Sequence, residues 1–300
     1  MKPFKPGRRK YRKVISGYLF ISPWMISFFA FAVIPIVMSF YFSFTNYNIL
    51  GSPVFNGLAN FRRLGSDTLF WQAMKVTFTY AFIAVPLRLV FAFFLACLFK
   101  RGTRMVRVYQ AAYYIPSLVG GSVAVAIMWR RMFMSDGIIN TVLQAMGINS
   151  TISWIGNVDT ALGVIILLAV WQFGSSMLIF LAGLRQIPKS YYEAASIDGA
   201  GWVSQFFHIT LPQMTPIIFF NLIMQLINGF TAFNQAFIIS GGGGDPQNAT
   251  LFYALYLYLR AFAYNEMGYG SALAWVLVMI IAVFTAIIFK TQKYWVHYES

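Results

Sequence analysis

The side chains able to do chemistry are few, and most of them are amides. His208 and His297 are the only histidines and lie far apart in the sequence. Cys97 is the single cysteine, which excludes an internal disulfide framework and a multi-cysteine metal site; in its apolar setting it reads as packing. No H-E-x-x-H, G-x-S-x-G or intramembrane aspartate pair occurs, so the chain does not read as an enzyme. No G-x-x-x-x-G-K-[ST] loop occurs either, and "GGGGDP" (Gly241–Pro246) lacks the lysine that a phosphate loop needs. What remains is hydrogen bonding. Asn221, Gln225 and Asn228 fall at i, i+4 and i+7, on one face of a helix, and Trp171, Gln172 and Ser175 form a second polar patch. Amides and an indole face suit a sugar, whose hydroxyls need paired hydrogen bonds and whose C–H faces stack. The same groups also serve as glue between helices, and the residues alone leave both uses open. Arg88 stands inside an apolar run, where a bare arginine costs about 2.5–3.5 kcal/mol. With no carboxylate in any apolar run, it must snorkel, line a wet cavity, or meet an acid from outside the chain. That acid belongs either to a partner subunit or to a substrate such as a uronic-acid oligosaccharide of the alginate or pectin kind.

The elements that hold these residues are set by composition. The chain is 59% hydrophobic and only 10% charged, against about 25% charged in soluble domains. Too little polar material exists to face water, so an integral membrane protein is expected, all-α and polytopic. Apolar runs near 18–44, 76–99, 110–128, 161–184, 216–239 and 271–290 predict six spans of about 20 residues each. Residues 18–290 then form the transmembrane domain, 185–215 an internal loop within it, and 1–17 and 291–300 polar tails. The net charge of +14 is strongly polarised. Seven Lys/Arg stand in the first thirteen residues, and with the N-terminus inside, inner segments hold fifteen against five outside. This bias predicts cytoplasmic termini and gives no reason to invoke nucleic acid. The segment 250–264, apolar but short and rich in tyrosine, is expected to lie at the membrane–water interface.

The loop between the fourth and fifth runs is unusual. "YYEAASIDGAGWVSQFFHITLP" combines two of the eight acidic residues, Glu193 and Asp198, with Trp202, Phe206 and Phe207. "SYYE" (Ser190–Glu193) predicts a capping box that opens a helix, and Gly199 suits a left-handed C-terminal cap. A second short helix is expected over "WVSQFFH" before Pro212 opens the fifth span. Ala194, Ala195 and Ala200 would let another backbone approach closely. A loop lying on lipid headgroups is the competing reading, but its acids would be repelled by an anionic leaflet. Docking to a cytoplasmic protein therefore accounts for more of the residues.

Glu193-Ala194-Ala195, Asp198-Gly199-Ala200, Phe206, Ile209 and Leu211-Pro212 resemble the E-A-A-x-x-D-G-A-x5-F-x2-I-x-L-P signature of permease subunits in ATP-binding-cassette importers. "FNGLANF", "IPSLVGGSVAVAIMW", "WQFGSSMLIFLAGLRQIP" and "MGYGSALAW" extend the resemblance to carbohydrate permeases of the maltose and glycerol-phosphate type, as the first member of the permease pair. The resemblance implies a type I importer permease fold in a bacterial inner membrane. It also implies a second permease, two copies of a cytoplasmic ATPase carrying ATP and Mg, and an extracytoplasmic solute-binding protein. By the same resemblance the loop is the coupling helix, with Glu193 and Gly199 central to it, and spans four to six line the sugar path. No cofactor on this chain itself is implied. An ion- or proton-coupled secondary carrier is the alternative, disfavoured by the missing intramembrane carboxylates.

Overall fold

The computed structural model of the chain describes residues 7–100 and 104–297. Lys2, Lys5, Arg101 and Glu299 lie outside the described residues, and with them part of the expected tail and loop charge. Among the described residues, five helices are long and apolar enough to cross a membrane, or six spans if one bent pair counts as a single crossing. The chain forms two compact units.

The first unit comprises residues 1–65 and 260–275. Helix α1 (Gly7–Phe28) runs through a π-helical turn at Phe29–Val33 into α2 (Ile34–Phe42). A two-residue ladder follows, β1 (Thr45–Asn46) antiparallel to β2 (Val54–Phe55), and then α3 (Ala59–Ser66). Two of the sequence motifs meet here. Asn60 of "FNGLANF" is buried and donates to the carbonyls of Ser43 and Thr45, both at 2.9 Å. Gly268 of "MGYGSALAW" donates its N–H to the carbonyl of Tyr47 at 2.9 Å. Arg63 grips Glu266 through both of its terminal nitrogens at 3.0 Å and lies over the Tyr269 ring; Arg260 adds a second ion pair at 3.3 Å.

The second unit, residues 66–259 and 276–300, is organised around α4 (Thr68–Leu98). The Asp67 side chain caps α4 by accepting from the N–H groups of Leu69 and Phe70. After it come α5 (Arg104–Val119), α6 (Val123–Met132), α7 (Ile138–Ala145), α8 (Ala161–Trp171) and α9 (Gly174–Gln186). The loop contributes α10 (Lys189–Ile197) and α11 (Trp202–Gln205); α12 (Leu211–Phe230), α13 (Asn234–Ile239), α14 (Tyr253–Tyr258) and α15 (Met267–Trp295) complete the chain. Lipid tails are as apolar as leucine, so helices in a bilayer associate through close packing rather than water exclusion. The buried face of α4 fits that rule, carrying Ala73, Ala81, Ala84, Ala92 and Ala96 against α8, α9 and α12.

Several expectations are corrected. The third span is not one straight rod: α5 and α6 meet at an angle of 98°. Gly120 and Gly121 interrupt the ladder there, and the Ser122 hydroxyl caps α6 by accepting from Val125 N–H. The fourth span breaks at Gln172–Phe173 and the fifth at Thr231–Phe233. The tyrosine-rich segment packs against the protein over its first half. Tyr253 and Tyr256 are fully buried, with Tyr253 N–H on the Thr77 hydroxyl at 2.7 Å and the Tyr256 hydroxyl on the Asp67 carboxylate. Its apolar face is satisfied by α4 instead of by lipid, because Phe70 and Tyr80 of α4 offer it an aromatic seat.

Candidate functional site

A polar cavity of about 240 Å³ lies within the second unit, walled by α4, the break after α8, and the end of α12. Tyr80, Arg88, Gln172, Gln225, Asn228 and Gln235 line it, and the rest of its wall is small and apolar. Arg88 is ten residues from the end of α4 at Leu98, roughly 15 Å of helix rise, which places it well inside the span.

The cavity exists because the fourth span is broken. A helix interruption frees carbonyls that an intact ladder would use. The freed Gln172 carbonyl accepts from Arg88 Nη2 at 2.5 Å and from the Ser117 hydroxyl at 2.9 Å. Ser117 Oγ in turn accepts from Ser175 N–H at 3.0 Å, and the Gln172 amide donates to the Gly120 carbonyl at 3.1 Å. Three spans are thus tied at one point, where the third bends and the fourth breaks. The junction is tight at Gly174, where a Cβ would sit 2.5 Å from the Tyr113 carbonyl oxygen and 2.8 Å from Tyr114 Cα. No side chain fits there.

Of the seven path residues expected from sequence, the structure brings Arg88, Gln172, Gln225 and Asn228 to the cavity. Asn221 is buried elsewhere and turns its amide back to the Ile217 carbonyl at 3.1 Å, one turn below the cavity floor. Trp171 packs on Trp129, ring centroids 5.5 Å apart, and Ser175 enters only through its backbone N–H. The break after α8 separates Gln172 from Trp171 and Ser175, whereas Asn221 lies on the unbroken α12 a turn before Gln225 and bonds its own helix instead. Tyr80 and Gln235 were missed. Tyr80 sits two turns before Arg88 on the same face of α4, a spacing that sequence could have revealed once Arg88 was suspected.

The second feature is the loop between the fourth and fifth spans. It is a rigid knob. Helix α10 starts at Lys189 with Pro188 as its N-cap residue, so Ser190 lies inside the first turn and makes no capping bond. The expected capping box is therefore absent, because Pro188 with its fixed φ opens the helix earlier. The C-terminal cap is as expected. Gly199 has φ +80°, and Ala200 N–H to the Ala195 carbonyl at 2.8 Å and Gly199 N–H to the Ser196 carbonyl at 3.1 Å complete a Schellman closure. Gln205 braces the two halves, donating to the Ser196 hydroxyl at 2.9 Å and the Ala200 carbonyl at 3.0 Å. The Tyr192 hydroxyl bonds that of Thr210 at 2.9 Å, anchoring the knob to the base of α12.

The expected separate helix over "WVSQFFH" is not separate. Residues 202–205 pass through a π-helical turn at Phe206–Thr210 directly into α12. Phe206 faces inward, its ring 6.1 Å from Phe93 of α4. Glu193, Ala194, Asp198 and Gly199 are exposed, while Ala195 and Ala200 are half-buried. Neither Glu193 nor Asp198 makes an ion pair among the described residues. Sequence reasoning missed Ile197, which is 87% exposed beside Trp202 at 78%. Large exposed apolar groups of this kind mark a surface that contacts another protein or the membrane.

Residues 88–294 match the family model described as the binding-protein-dependent transport system inner membrane component. The chain belongs to this family. Among curated relatives, the permease is 53% identical over 297 residues to the probable ABC transporter permease protein YesP of Bacillus subtilis, covering 99% of this chain and 96% of YesP. It is 35% identical to the arabinooligosaccharides transport system permease protein AraP of the same organism, covering 93% of this chain and 89% of AraP. Among solved structures, the permease shares its fold with a chain of a bacterial ABC transporter involved in importing the acidic polysaccharide alginate. That match has a TM-score of 0.81, 18% identity, and coverage of 95% of this chain and 99% of the other. The permease is accordingly an inner-membrane transport component and not an enzyme.

Proposed function

We propose that the permease carries sugars or oligosaccharides into the cell by alternating access, as one half of an ATP-driven importer. The observation that carries this reading is the cavity wall. Tyr80, Asn228 and Gln235 make no side-chain hydrogen bond among the described residues, yet they converge on one space. Helix glue would satisfy its own amides. Open hydrogen-bonding groups around a cavity await a ligand with many hydroxyls. Support also comes from relatives, since AraP is named for arabinooligosaccharides and others for lactose and for trehalose/maltose.

The knob is the coupling element. Its free Glu193 and Asp198 carboxylates and its exposed Ile197 and Trp202 fit a cleft on a cytoplasmic ATPase, two copies of which bind the ATP and Mg. A second permease completes the transmembrane path and an extracytoplasmic binding protein delivers the sugar. The excess of basic residues supports a cytoplasmic position for the knob and both termini. Because Gln205 and Tyr192 hold the knob rigidly to α12, movement of the ATPases would tilt α12 and with it the Gln225–Asn228 wall.

Reconstitution with the partner subunits tests this. Sugar uptake into vesicles should require ATP and the binding protein. Uptake by this chain alone in ATP-free vesicles would instead support the secondary carrier, which no observation here favours.

A further inference from the structure

We infer that Arg88 is an anion hook in the substrate cavity and that the preferred cargo carries carboxylates, as uronic-acid sugars do; this rests on the sugar-permease reading. A buried arginine that serves only structure finds acceptors for its donors, normally a carboxylate. Arg88 does not. Its Nη2 reaches one backbone carbonyl, that of Gln172, and its Nε is enclosed without any hydrogen-bond partner. No Asp or Glu lines the cavity, and no acidic residue of the chain lies within the described part of α4, α8, α9, α12 or α13. A full positive charge therefore stands in a small polar cavity with no carboxylate among the described residues to neutralise it, at a depth where leaving it so is costly.

The geometry favours a small anion with hydroxyls around it. The bond to Gln172 fixes the plane of the guanidinium, so its remaining donors are already oriented, which suits a carboxylate. Around it Tyr80, Asn228 and Gln235 offer neutral donors and acceptors of the kind that sugar hydroxyls use, while Gln225 donates its amide N–H to Ser176 Oγ at 3.0 Å and keeps only its carbonyl oxygen. The cavity volume, about 240 Å³, is below the range of about 300–1,000 Å³ typical of drug-sized ligand sites. It suits a single uronate unit in place of an entire chain. A carboxylate of the second permease is the competing partner, but it would leave the open side chains of Tyr80, Asn228 and Gln235 without a purpose.

The test uses the complete importer with its binding protein in vesicles. Short oligomers of galacturonate, glucuronate and mannuronate–guluronate are supplied, each beside its carboxyl-reduced neutral counterpart. The unaltered complex should take up at least one acidic oligomer in preference to its counterpart. Arg88→Gln should lower that acidic-to-neutral uptake ratio about tenfold or more, and Arg88→Lys by less. Binding-protein preference cancels, because the same binding protein delivers both sugars to every variant. Equal loss of both sugars, with weakened assembly of the two permeases, would overturn the proposal in favour of a pairing between subunits. Uptake of neutral sugars only would overturn it and leave the sugar-permease reading standing. Uptake of no sugar, while ATP hydrolysis still responds to the binding protein, would remove both.

Discussion

The knob and the cavity solve opposite problems in the same unit of the protein. The knob is built from one short stretch, Lys189 to Thr210, and its bonds join near neighbours: Ala195 to Ala200, Ser196 to Gln205, Tyr192 to Thr210. The cavity is built from residues as far apart as Tyr80 and Gln235, and its bonds link Arg88 to Gln172 and Gln172 to Gly120. One is exposed with its charges free; the other lies among α4, α8 and α12 and holds a cation that no carboxylate among the described residues neutralises. A docking surface can be carried whole on a local motif. A transport path cannot, because alternating access requires walls that belong to different moving helices.

That contrast predicts different failures. The largest effect is expected at Gly174, where any side chain strikes backbone of the third span. Gly174→Val should cost about 3 kcal/mol or more, read as loss of assembled importer on purification; normal yield and uptake would show that the junction is loose. Next comes Glu193→Lys, on the exposed face of the knob. It should leave folding and membrane insertion intact while reducing ATPase association by about 2 kcal/mol, the scale of an interface hot spot. Uptake should fall in parallel. Normal association and uptake, there and in Gly199→Asp, would contradict the coupling role.

Two smaller changes probe the inside of the knob. Gln205→Leu removes both braces between its halves, a loss of about 1–3 kcal/mol in local stability. Faster amide exchange confined to residues 195–205 is expected, with severalfold weaker coupling; unchanged exchange would mean that other contacts hold the knob. Ser190→Ala should do almost nothing, within about 0.5 kcal/mol, because Ser190 lies inside the helix without a capping bond. A cost near 1 kcal/mol would instead restore the capping box.

Much was legible from the residues. The membrane class and the positions of the spans follow from apolar runs, since backbone groups in lipid must be satisfied within their own helix. Gly199 was legible as a left-handed cap for a comparable reason: Ser190 to Ala200 is a local problem with a local solution. The errors came partly from local signals that were misweighed and partly from tertiary contacts. Pro188 displaced the predicted capping box. Of the tyrosines of 250–264, two (Tyr253 and Tyr256) are buried against the protein, a packing that their composition did not reveal. The third span read as continuous, yet the glycines at 120 and 121 let it bend by 98°.

Residue types and their spacing suffice to establish a polytopic helical membrane protein with a signature loop between its fourth and fifth spans. They also expose Arg88 as a charge without a partner, because one can count the acids in apolar runs and find none. Which amides face the cavity and which turn away depends on how the helices pack. Hydrophobic periodicity states which face of a helix is polar, but a break in the helix resets that phase, and where the break falls depends on what packs against it. At Gln172 the carbonyl released by the break is held by Arg88 from another helix. No reading of either segment alone contains that bond.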